Sequence, residues 1–305
     1  MPDAALLPAG VALEPLLAAL RRLCWDASAI LRAYARGSTP PFGYPPVLSV
    51  DNNPKGPVSA ADLAVNEHLL TGLSAAYPAA PWTLVSEETI HQWPEGEAIA
   101  GDWIWLLDPL DGTKDFLQGT GEYAVHLALV HEQRAVIGVV LLPELEQLWF
   151  GLLGAEPKAW WEGPDGRPHP ASFSARRQLA ELIPVTSRSH RDDRLEQLMA
   201  SLGCADGIAR GSVGGKVAAI LRGETDLYIS LSGSSAPKDW DMAAPEAVLQ
   251  AAGGAFTHAD GQPLTYNSGD PRQAGCLIAS HGSCHSELCQ AAAAAMASID
   301  PGFPL

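Results

Sequence analysis

Two carboxylates stand three residues apart in the segment Asp108-Pro109-Leu110-Asp111-Gly112, which directly follows the apolar run 103–107. Pro109 fixes its own φ, so the turn can direct Asp108 and Asp111 at one point and expose the carbonyl of Leu110. Oxygen donors in such an arrangement suit Mg²⁺. The end of an apolar strand is also where α/β enzymes place their chemistry. The segment therefore predicts a site for a divalent cation.

Charge repulsion supports the same prediction. Carboxylates that converge cannot all stay ionised without a penalty, so either their pKa values rise or a divalent cation lies between them. The amides of Gly112 and Thr113 would then begin a helix or tight turn, where free N–H groups bind phosphate. The alternative is structural, because Asp-Pro and Asp-Gly pairs are common in surface turns.

Three other segments place acids at the edges of predicted elements. Ser86-Glu87-Glu88 ends an apolar strand, whereas Asp62 and Asp241 each lie near the start of a predicted helix. Taken alone, Asp62 and Asp241 are explained as helix caps, which need no partner elsewhere in the chain. The residue pattern by itself leaves both interpretations open.

Hydrophobic periodicity predicts the elements that must position these acids. The N-terminal half is predicted to contain helices over 11–34 and 60–73, a loop over 37–57, strands over 82–85 and 103–107, a meander of strands over 123–130, 135–142 and 148–152, and a hairpin over 156–170. The acids thus follow predicted strands or open predicted helices.

The C-terminal half alternates strands and helices, as α/β units do. Its elements are predicted over 182–186, 192–202, 213–221, 227–231 and 242–252. A boundary near 176–181 separates the two halves. We therefore predict an N-terminal α+β metal-binding domain over 1–178 and a C-terminal α/β domain over 179–305 that completes the substrate site.

Composition and charge exclude several classes of protein. The 305 residues are 47% hydrophobic, which favours a folded chain with a large core over a disordered one. A net charge of −16 repels nucleic acids and anionic membranes, so a nucleic-acid partner is not expected. A small anionic substrate then requires cations that reverse the local field.

Cysteine usage and hydropathy bear on the compartment. The five cysteines are scattered and odd in number, so no disulfide framework is implied. No apolar run approaches the roughly 18 residues that a membrane span needs. We expect a soluble cytoplasmic protein, either a monomer or a homodimer.

The chain resembles the inositol monophosphatase superfamily in three boxes that appear in order. These are the pair Glu87-Glu88, the Asp-Pro-hydrophobic-Asp-Gly-Thr box Asp108–Thr113 and the Trp-Asp-x-Ala box Trp240–Ala243. The resemblance runs from about Val47 to Leu288. It implies an α/β (α+β layered) fold, an alternating αβαβα sandwich of the inositol monophosphatase and fructose-1,6-bisphosphatase type.

Three segments look most like the 3'(2'),5'-bisphosphate nucleotidases of the CysQ type. They are Asp108–Leu117, Ser187–His190 and Lys238–Glu246. Such enzymes of sulfur metabolism remove the 3'-phosphate from adenosine 3',5'-bisphosphate or its sulfated form, and lithium inhibits them. Ser59 and Ser212 depart from the commoner threonine and glycine of relatives, so the substrate contacts differ in detail.

Carried over position by position, the resemblance assigns roles to individual residues. The implied metal ligands are Glu87, Asp108, the Leu110 carbonyl, Asp111 and Asp241. The implied water-orienting pair is Asp62 and Thr113. The implied substrate contacts are Gly112, Thr113, Ser187, His190, Ser212, Lys216 and Asp241.

The resemblance therefore implies a phosphatase that uses two or three Mg²⁺ ions and an activated water to hydrolyse a small phosphate monoester. An inositol monophosphatase or a fructose-1,6-bisphosphatase would use the same metal core. A nucleotide-sensing protein that kept the fold is the non-enzymatic alternative. That alternative requires loss of a ligand or of Thr113, and the sequence retains them all.

Two further patterns suggest other functions only superficially. Gly211–Val217 looks like a P-loop, but Arg210 and Val217 stand where that motif needs Gly and Ser or Thr. The C-terminal residues His281, Cys284, His285 and Cys289 match no standard zinc spacing, and a partly buried helix explains the cysteines. The ATPase function is excluded, and the structural interpretation of the C-terminal residues is preferred.

Overall fold

A computed structural model describes residues 6–53, 56–94, 96–188, 191–233 and 235–305. Within these residues the α-helices are α1 Leu13–Ala35, α2 Ala60–Ala76, α3 Thr113–Leu117, α4 Asp193–Leu202, α5 Val213–Leu221, α6 Asp239–Ala251 and α7 His285–Ile299. The strands are β1 Val50–Asn53, β2 Gly56–Ser59, β3 Thr83–Ser86, β4 Trp103–Asp111, β5 Ala124–His131, β6 Arg134–Leu142, β7 Gln147–Leu152, β8 Lys158–Glu162, β9 Pro168–Pro170, β10 Pro184–Ser187, β11 Ile208–Arg210, β12 Leu227–Ser232, β13 Ala255–His258 and β14 Gly275–Ser280.

Two large sheets organise these elements. Strands β3 to β9 form a seven-stranded sheet in chain order, in which only β3 and β4 are parallel. A five-stranded sheet has the order β11-β10-β12-β14-β13, and β10 is parallel to both of its neighbours. Strands β1 and β2 pair as a separate hairpin.

Helices and sheets alternate in five layers. Helices α1 and α2 cover one face of the seven-stranded sheet, where Leu16, Leu69 and Trp105 share a core. Helices α5 and α6 lie between the two sheets, in a core that includes Met242 and Tyr228. Helices α4 and α7 cover the outer face of the smaller sheet. The predicted αβαβα sandwich is confirmed.

Two glycines let α6 approach the seven-stranded sheet closely. Gly138 and Gly151 are register partners on β6 and β7. A Cβ atom on Gly138 would lie 2.5 Å from the carbonyl oxygen of Ala244, and one on Gly151 would lie 2.5 Å from the Cα atom of Val248. Any larger residue would push α6 outward, so these glycines hold the helix against the sheet.

Some elements differ from their predicted bounds. Strand β4 continues past residue 107 to Asp111, with a register shift between Asp108 and Asp111 against β5. The acidic box is therefore a bulged strand end rather than a turn that follows the strand, because β5 supplies pairing partners on both sides of Pro109. Helix α6 begins at Asp239, three residues before its predicted start.

The predicted domain boundary falls between the sheets. Strand β9 ends at Pro170 and β10 begins at Pro184. Residues of both sheets contribute to the core around α5 and α6. The two halves thus share a layer, and the division at 178 stays a prediction.

Candidate active site

Acidic residues converge at one edge of the seven-stranded sheet because β3 and β4 are parallel. Ser86 and Leu107 are register partners, so the next residues, Glu87 and Asp108, leave the strands at the same edge. Glu87 opens a short 3-10 helix that the Ser86 hydroxyl caps by accepting the N–H of Glu88 at 3.4 Å. Asp108 is 1% exposed.

Helix α6 supplies a third acid. Asp241 lies in its first turn and accepts a hydrogen bond from the backbone N–H of Lys238 at 2.6 Å. Carboxylate oxygens of Glu87, Asp108 and Asp241 all lie within 4.8 Å of one another. We refer to these three residues as the acidic centre.

Within the acidic centre, Asp108 lacks a partner that a buried carboxylate normally has. Oδ1 of Asp108 accepts the N–H of Leu110 at 3.0 Å, whereas its buried Oδ2 has no hydrogen-bond partner among the described residues. Burial, and then the charge of Glu87, raises the pKa of Asp108 well above its ordinary value. Most buried polar atoms are paired, so this oxygen indicates a missing ligand.

The other two carboxyls show the same effect. Removal of water from the carboxylate, and then the charge of Asp241, raises the pKa of Glu87 well above its ordinary value, although the residue keeps solvent contact. Burial and the charge of Asp111 raise the pKa of Asp241 to about 6. A divalent cation would bind all three oxygens and remove the repulsion, so the donor set fits a hard cation such as Mg²⁺.

A hydroxyl and a fourth acid lie beside the centre. Oγ1 of Thr113 is 3.1 Å from Oδ1 of Asp62 and 3.1 Å from the Leu110 carbonyl oxygen. Oδ2 of Asp62 accepts the Ser59 N–H at 2.8 Å and the Ser59 hydroxyl at 2.5 Å, in a capping box at the start of α2. The helix-cap interpretation of Asp62 is therefore correct, and the same carboxylate also faces Thr113.

Asp111 lies at the side of the acidic centre. Its Oδ2 accepts the backbone N–H of Val213 at 2.5 Å. Its charge contributes to the raised pKa of Glu87, Asp108 and Asp241. The N–H bond ties the start of α5 to the bulged end of β4.

The predicted substrate contacts occupy the adjoining C-terminal elements. Ser187 ends β10, and Ser212 caps α5 by accepting the N–H of Gly215 at 2.9 Å. Lys216 is 2% exposed, and its Nζ donates to the Gly211 carbonyl and lies 5.1 Å from the ring centroid of Tyr228. Its ammonium thus faces the protein interior. His190 lies outside the described residues.

Sequence reasoning overlooked an arginine pair near these contacts. Arg188 donates to Glu122 at 2.6 Å, and Arg210 donates to the other oxygen of Glu122 at 3.1 Å. Both arginine side chains are about 40% exposed (44% and 39%). Arg210 is three residues from Val213, hence within about 11 Å of it along an extended chain. Arg188 stands inside the segment Ser187–His190, and this position could have indicated from the sequence that Arg188 lies near the substrate contacts.

Among the C-terminal histidine and cysteine residues, His285 and Cys289 are accounted for by hydrogen bonds. The two ring nitrogens of His285 lie 2.8 Å from the Ser280 hydroxyl and 2.9 Å from that of Thr257. Cys289 is buried next to them. In the part of the chain that the structure describes, the acidic centre is the one group of three possible metal ligands.

The chain is an αβαβα sandwich of five layers, and its carboxylate oxygens meet at a sheet edge beside a hydroxyl and a buried acid. These features define a layered α/β protein with a candidate site for cations. Comparison with known proteins gives the family. The model of the inositol monophosphatase family matches residues 12–297, and the chain belongs to this family. The prediction of a phosphatase is thereby confirmed.

Similar proteins agree with this assignment. The chain is 35% identical over 212 residues to the 3'(2'),5'-bisphosphate nucleotidase CysQ of Salmonella typhimurium, covering 69% of this chain and 79% of that protein. It is 34% identical over 226 residues to CysQ of Escherichia coli K12, covering 73% and 85%. The fold resembles the IMPase of Thermotoga maritima, with a TM-score of 0.71, 20% identity and coverage of 94% and 100%. It also resembles the inositol monophosphatase of Anabaena, with a TM-score of 0.66, 22% identity and coverage of 92% and 95%.

Proposed function

We propose that the protein is a Mg²⁺-dependent phosphatase that hydrolyses the 3'-phosphate of adenosine 3',5'-bisphosphate, or of its sulfated form, to give AMP or the corresponding nucleotide and phosphate. The observation that carries the proposal is the acidic centre, in which Asp108 has an unpaired Oδ2. The choice of nucleotide rests on the identity of 34–35% to two CysQ nucleotidases.

The metal ligands we propose are Glu87, Asp108, the Leu110 carbonyl, Asp111 and Asp241, for two or three ions. When bound, Mg²⁺ lowers the pKa of water and neutralises charge on phosphate oxygens. The protein holds the ligands in place before the ions arrive, because Asp241 and Asp111 are each fixed by a backbone N–H.

Thr113 and Asp62 are the residues we propose to guide the proton of the attacking water. The Thr113 hydroxyl carries one proton and faces two acceptors, the Asp62 carboxylate and the Leu110 carbonyl. When it donates to Asp62, its oxygen can accept a hydrogen bond from the attacking water, and the hydroxyl can pass its own proton to the carboxylate as it takes the proton of the water. Burial raises the pKa of Asp62, against the opposing effect of the Ser59 hydrogen bonds, and so improves its capacity to take that proton.

The remaining phosphate of a bisphosphate needs positive charge beyond the metal site. We propose substrate contacts at Gly112, Thr113, Ser187, His190, Ser212, Lys216 and Asp241. Lys216 is buried and would have to leave the Gly211 carbonyl to reach a substrate, whereas Arg188 and Arg210 are partly exposed while they pair with Glu122. Guanidinium groups bind phosphate in a bidentate manner.

We propose a cytoplasmic location and a monomer or homodimer. Five free cysteines fit a reducing compartment. Among the described residues, no helix is long and apolar enough to cross a membrane. Small phosphorylated molecules are the proposed partners, without nucleic acid.

A phosphate-release assay tests the proposal. The purified protein is assayed with adenosine 3',5'-bisphosphate, inositol 1-phosphate and fructose 1,6-bisphosphate, each with Mg²⁺, without Mg²⁺ and with added Li⁺. We expect the nucleotide to have the highest kcat/KM, a complete requirement for Mg²⁺ and inhibition by Li⁺. A higher kcat/KM for inositol 1-phosphate or fructose 1,6-bisphosphate would contradict the proposed nucleotide substrate. A protein that releases phosphate from none of the three compounds would contradict the proposed phosphatase activity.

A further inference from the structure

His126 is a fully buried histidine directly behind the acidic centre. It lies on β5 as the register partner of Asp108 on β4. Its exposed fraction is 0%, and neither ring nitrogen has a hydrogen-bond partner that meets normal geometry among the described residues. Burial of an unpaired polar side chain costs stability. A hydrocarbon side chain at position 126 would avoid that cost. The presence of a histidine there therefore suggests that the imidazole has a function.

The neighbours of the ring belong to two segments that carry proposed metal ligands. Nε2 lies 3.5 Å from Oδ2 of Asp111, the oxygen that also accepts the Val213 N–H. The backbone carbonyl of Trp240, the residue before Asp241, faces the same ring. Both neighbours are hydrogen-bond acceptors, and an imidazole always carries at least one N–H.

The packing of α5 leaves space for this ring. A Cβ atom on Gly214 would lie 2.4 Å from Nε2 of His126 and 2.7 Å from Cγ1 of Val140. Contacts that short do not occur between unbonded atoms, so a side chain at position 214 would displace the imidazole. Gly214 therefore permits the ring to lie against Asp111.

We propose that His126 is a positioning residue for the metal site, which donates a hydrogen bond to the Asp111 carboxylate and fixes its orientation. The distance of 3.5 Å between Nε2 of His126 and Oδ2 of Asp111 is at the outer limit of a hydrogen bond. Groups that orient metal ligands in this way typically contribute about 10- to 100-fold to metal affinity. The inference rests on the proposed metal-dependent function.

Metal binding by the purified, EDTA-treated protein tests the role without recourse to catalysis. Mg²⁺ alone is titrated calorimetrically into the wild type, His126→Leu and His126→Gln, since glutamine keeps an N–H donor. His131→Leu is the matched control, because His131 is on the same strand and stacks on Trp103 instead. Gly214→Ala is included because it displaces the His126 ring without removing it. This variant tests the same contact if His126→Leu does not fold.

We expect Mg²⁺ binding to weaken about 10- to 100-fold in His126→Leu and Gly214→Ala, and to be largely restored in His126→Gln. At saturating Mg²⁺ the KM for substrate should stay unchanged. Wild-type affinity in folded His126→Leu or Gly214→Ala, or equal losses in His126→Gln and His126→Leu, would overturn the positioning role alone. A wild type that binds no Mg²⁺ would overturn the metal-dependent function as well.

Discussion

Two buried aspartates of this protein, Asp108 and Asp226, have opposite surroundings. Asp226 is 0% exposed and accepts hydrogen bonds from Nε of Arg176 at 2.6 Å, from the Ile183 N–H at 2.7 Å and from the Ser174 hydroxyl. Asp108 is as deeply buried but accepts one N–H, and its nearest charged neighbours are other acids. The two carboxylates are therefore buried to the same extent, but only Asp226 has a cation and several hydrogen-bond donors around it.

The difference separates a structural carboxylate from one that awaits a ligand. A buried charge with a cation and hydrogen bonds around it holds segments together, as Asp226 does for residues 174–183. A buried charge among like charges weakens the fold until a cation binds. Replacing each aspartate should therefore affect different properties.

The largest expected effect is on catalysis by Asp108→Asn. Phosphate release should fall on the order of 10³-fold, because the site loses charge that holds the cations. The melting temperature of the metal-free protein should stay the same or rise, since repulsion in the acidic centre decreases. Phosphate release and thermal unfolding in EDTA measure the two effects. The control is Asp102→Asn, a change in an exposed loop. If Asp108→Asn lost stability as well as activity, Asp108 would have a structural role like that of Asp226.

Asp226→Ala should act on stability instead. It leaves Arg176 and the Ile183 N–H without their acceptor, so the free energy of unfolding should fall by about 3 kcal/mol. Urea denaturation measures this, and kcat of the folded fraction should remain near the wild-type value. If Asp226→Ala unfolds at the same urea concentration as the wild type, or is folded but inactive, then Asp226 does not have the purely structural role described here.

Thr113→Ala should lower kcat by about 10²-fold with little change in KM, because it removes the hydroxyl that acts on the proton of the water but keeps the Thr113 backbone N–H, through which phosphate would be bound. Thr113→Ser keeps the hydroxyl and is the matched control. Steady-state kinetics at saturating Mg²⁺ measure both. Equal activity of the alanine and serine variants would mean that the pair Thr113 and Asp62 has no part in proton transfer.

The smallest effect is the pH dependence of stability without metal. The pKa of Asp241 in the folded protein is about 6, above the value of about 3.9 for an unfolded aspartate. The folded state therefore binds the proton more tightly, and the free energy of unfolding should fall as pH rises from about 4 to 6. With Mg²⁺, which needs ionised carboxylates, activity should instead be lost as pH falls through this range. Urea denaturation in EDTA and phosphate-release rates provide the measurements, and a stability that rises over the same range would contradict the account.

The sequence places the residues of the acidic centre at the ends of strongly apolar elements, whereas the idea that they act together comes from the family resemblance. The strand before Asp108 and the helix that carries Asp241 could both be recognised from periodicity. The register of β3 and β4, which makes Glu87 and Asp108 neighbours, depends on pairing between distant segments and leaves no local signal. In the smaller sheet, β13 and β14 lie outside every predicted element for the same reason.

The roles of buried polar side chains are the hardest to predict from the sequence. His126 stands in an apolar strand where a histidine suggests nothing in particular, and its contact with Asp111 depends on Gly214, which is 88 residues away in the chain. Lys216 looks like a phosphate ligand in sequence, yet α5 turns its ammonium inward to Gly211. Only tertiary packing distinguishes these roles.

Restoration of Mg²⁺ to the EDTA-treated protein tests the central claim most directly. Phosphate release from adenosine 3',5'-bisphosphate is followed for the wild type and Asp108→Asn as Mg²⁺ is added stepwise. We predict that the wild type is inactive without Mg²⁺ and gains activity as the ion binds, whereas phosphate release by Asp108→Asn stays on the order of 10³-fold below that of the Mg²⁺-saturated wild type at every Mg²⁺ concentration. Metal-free hydrolysis by the wild type, or a normal response of Asp108→Asn, would contradict a metal centre built on these carboxylates.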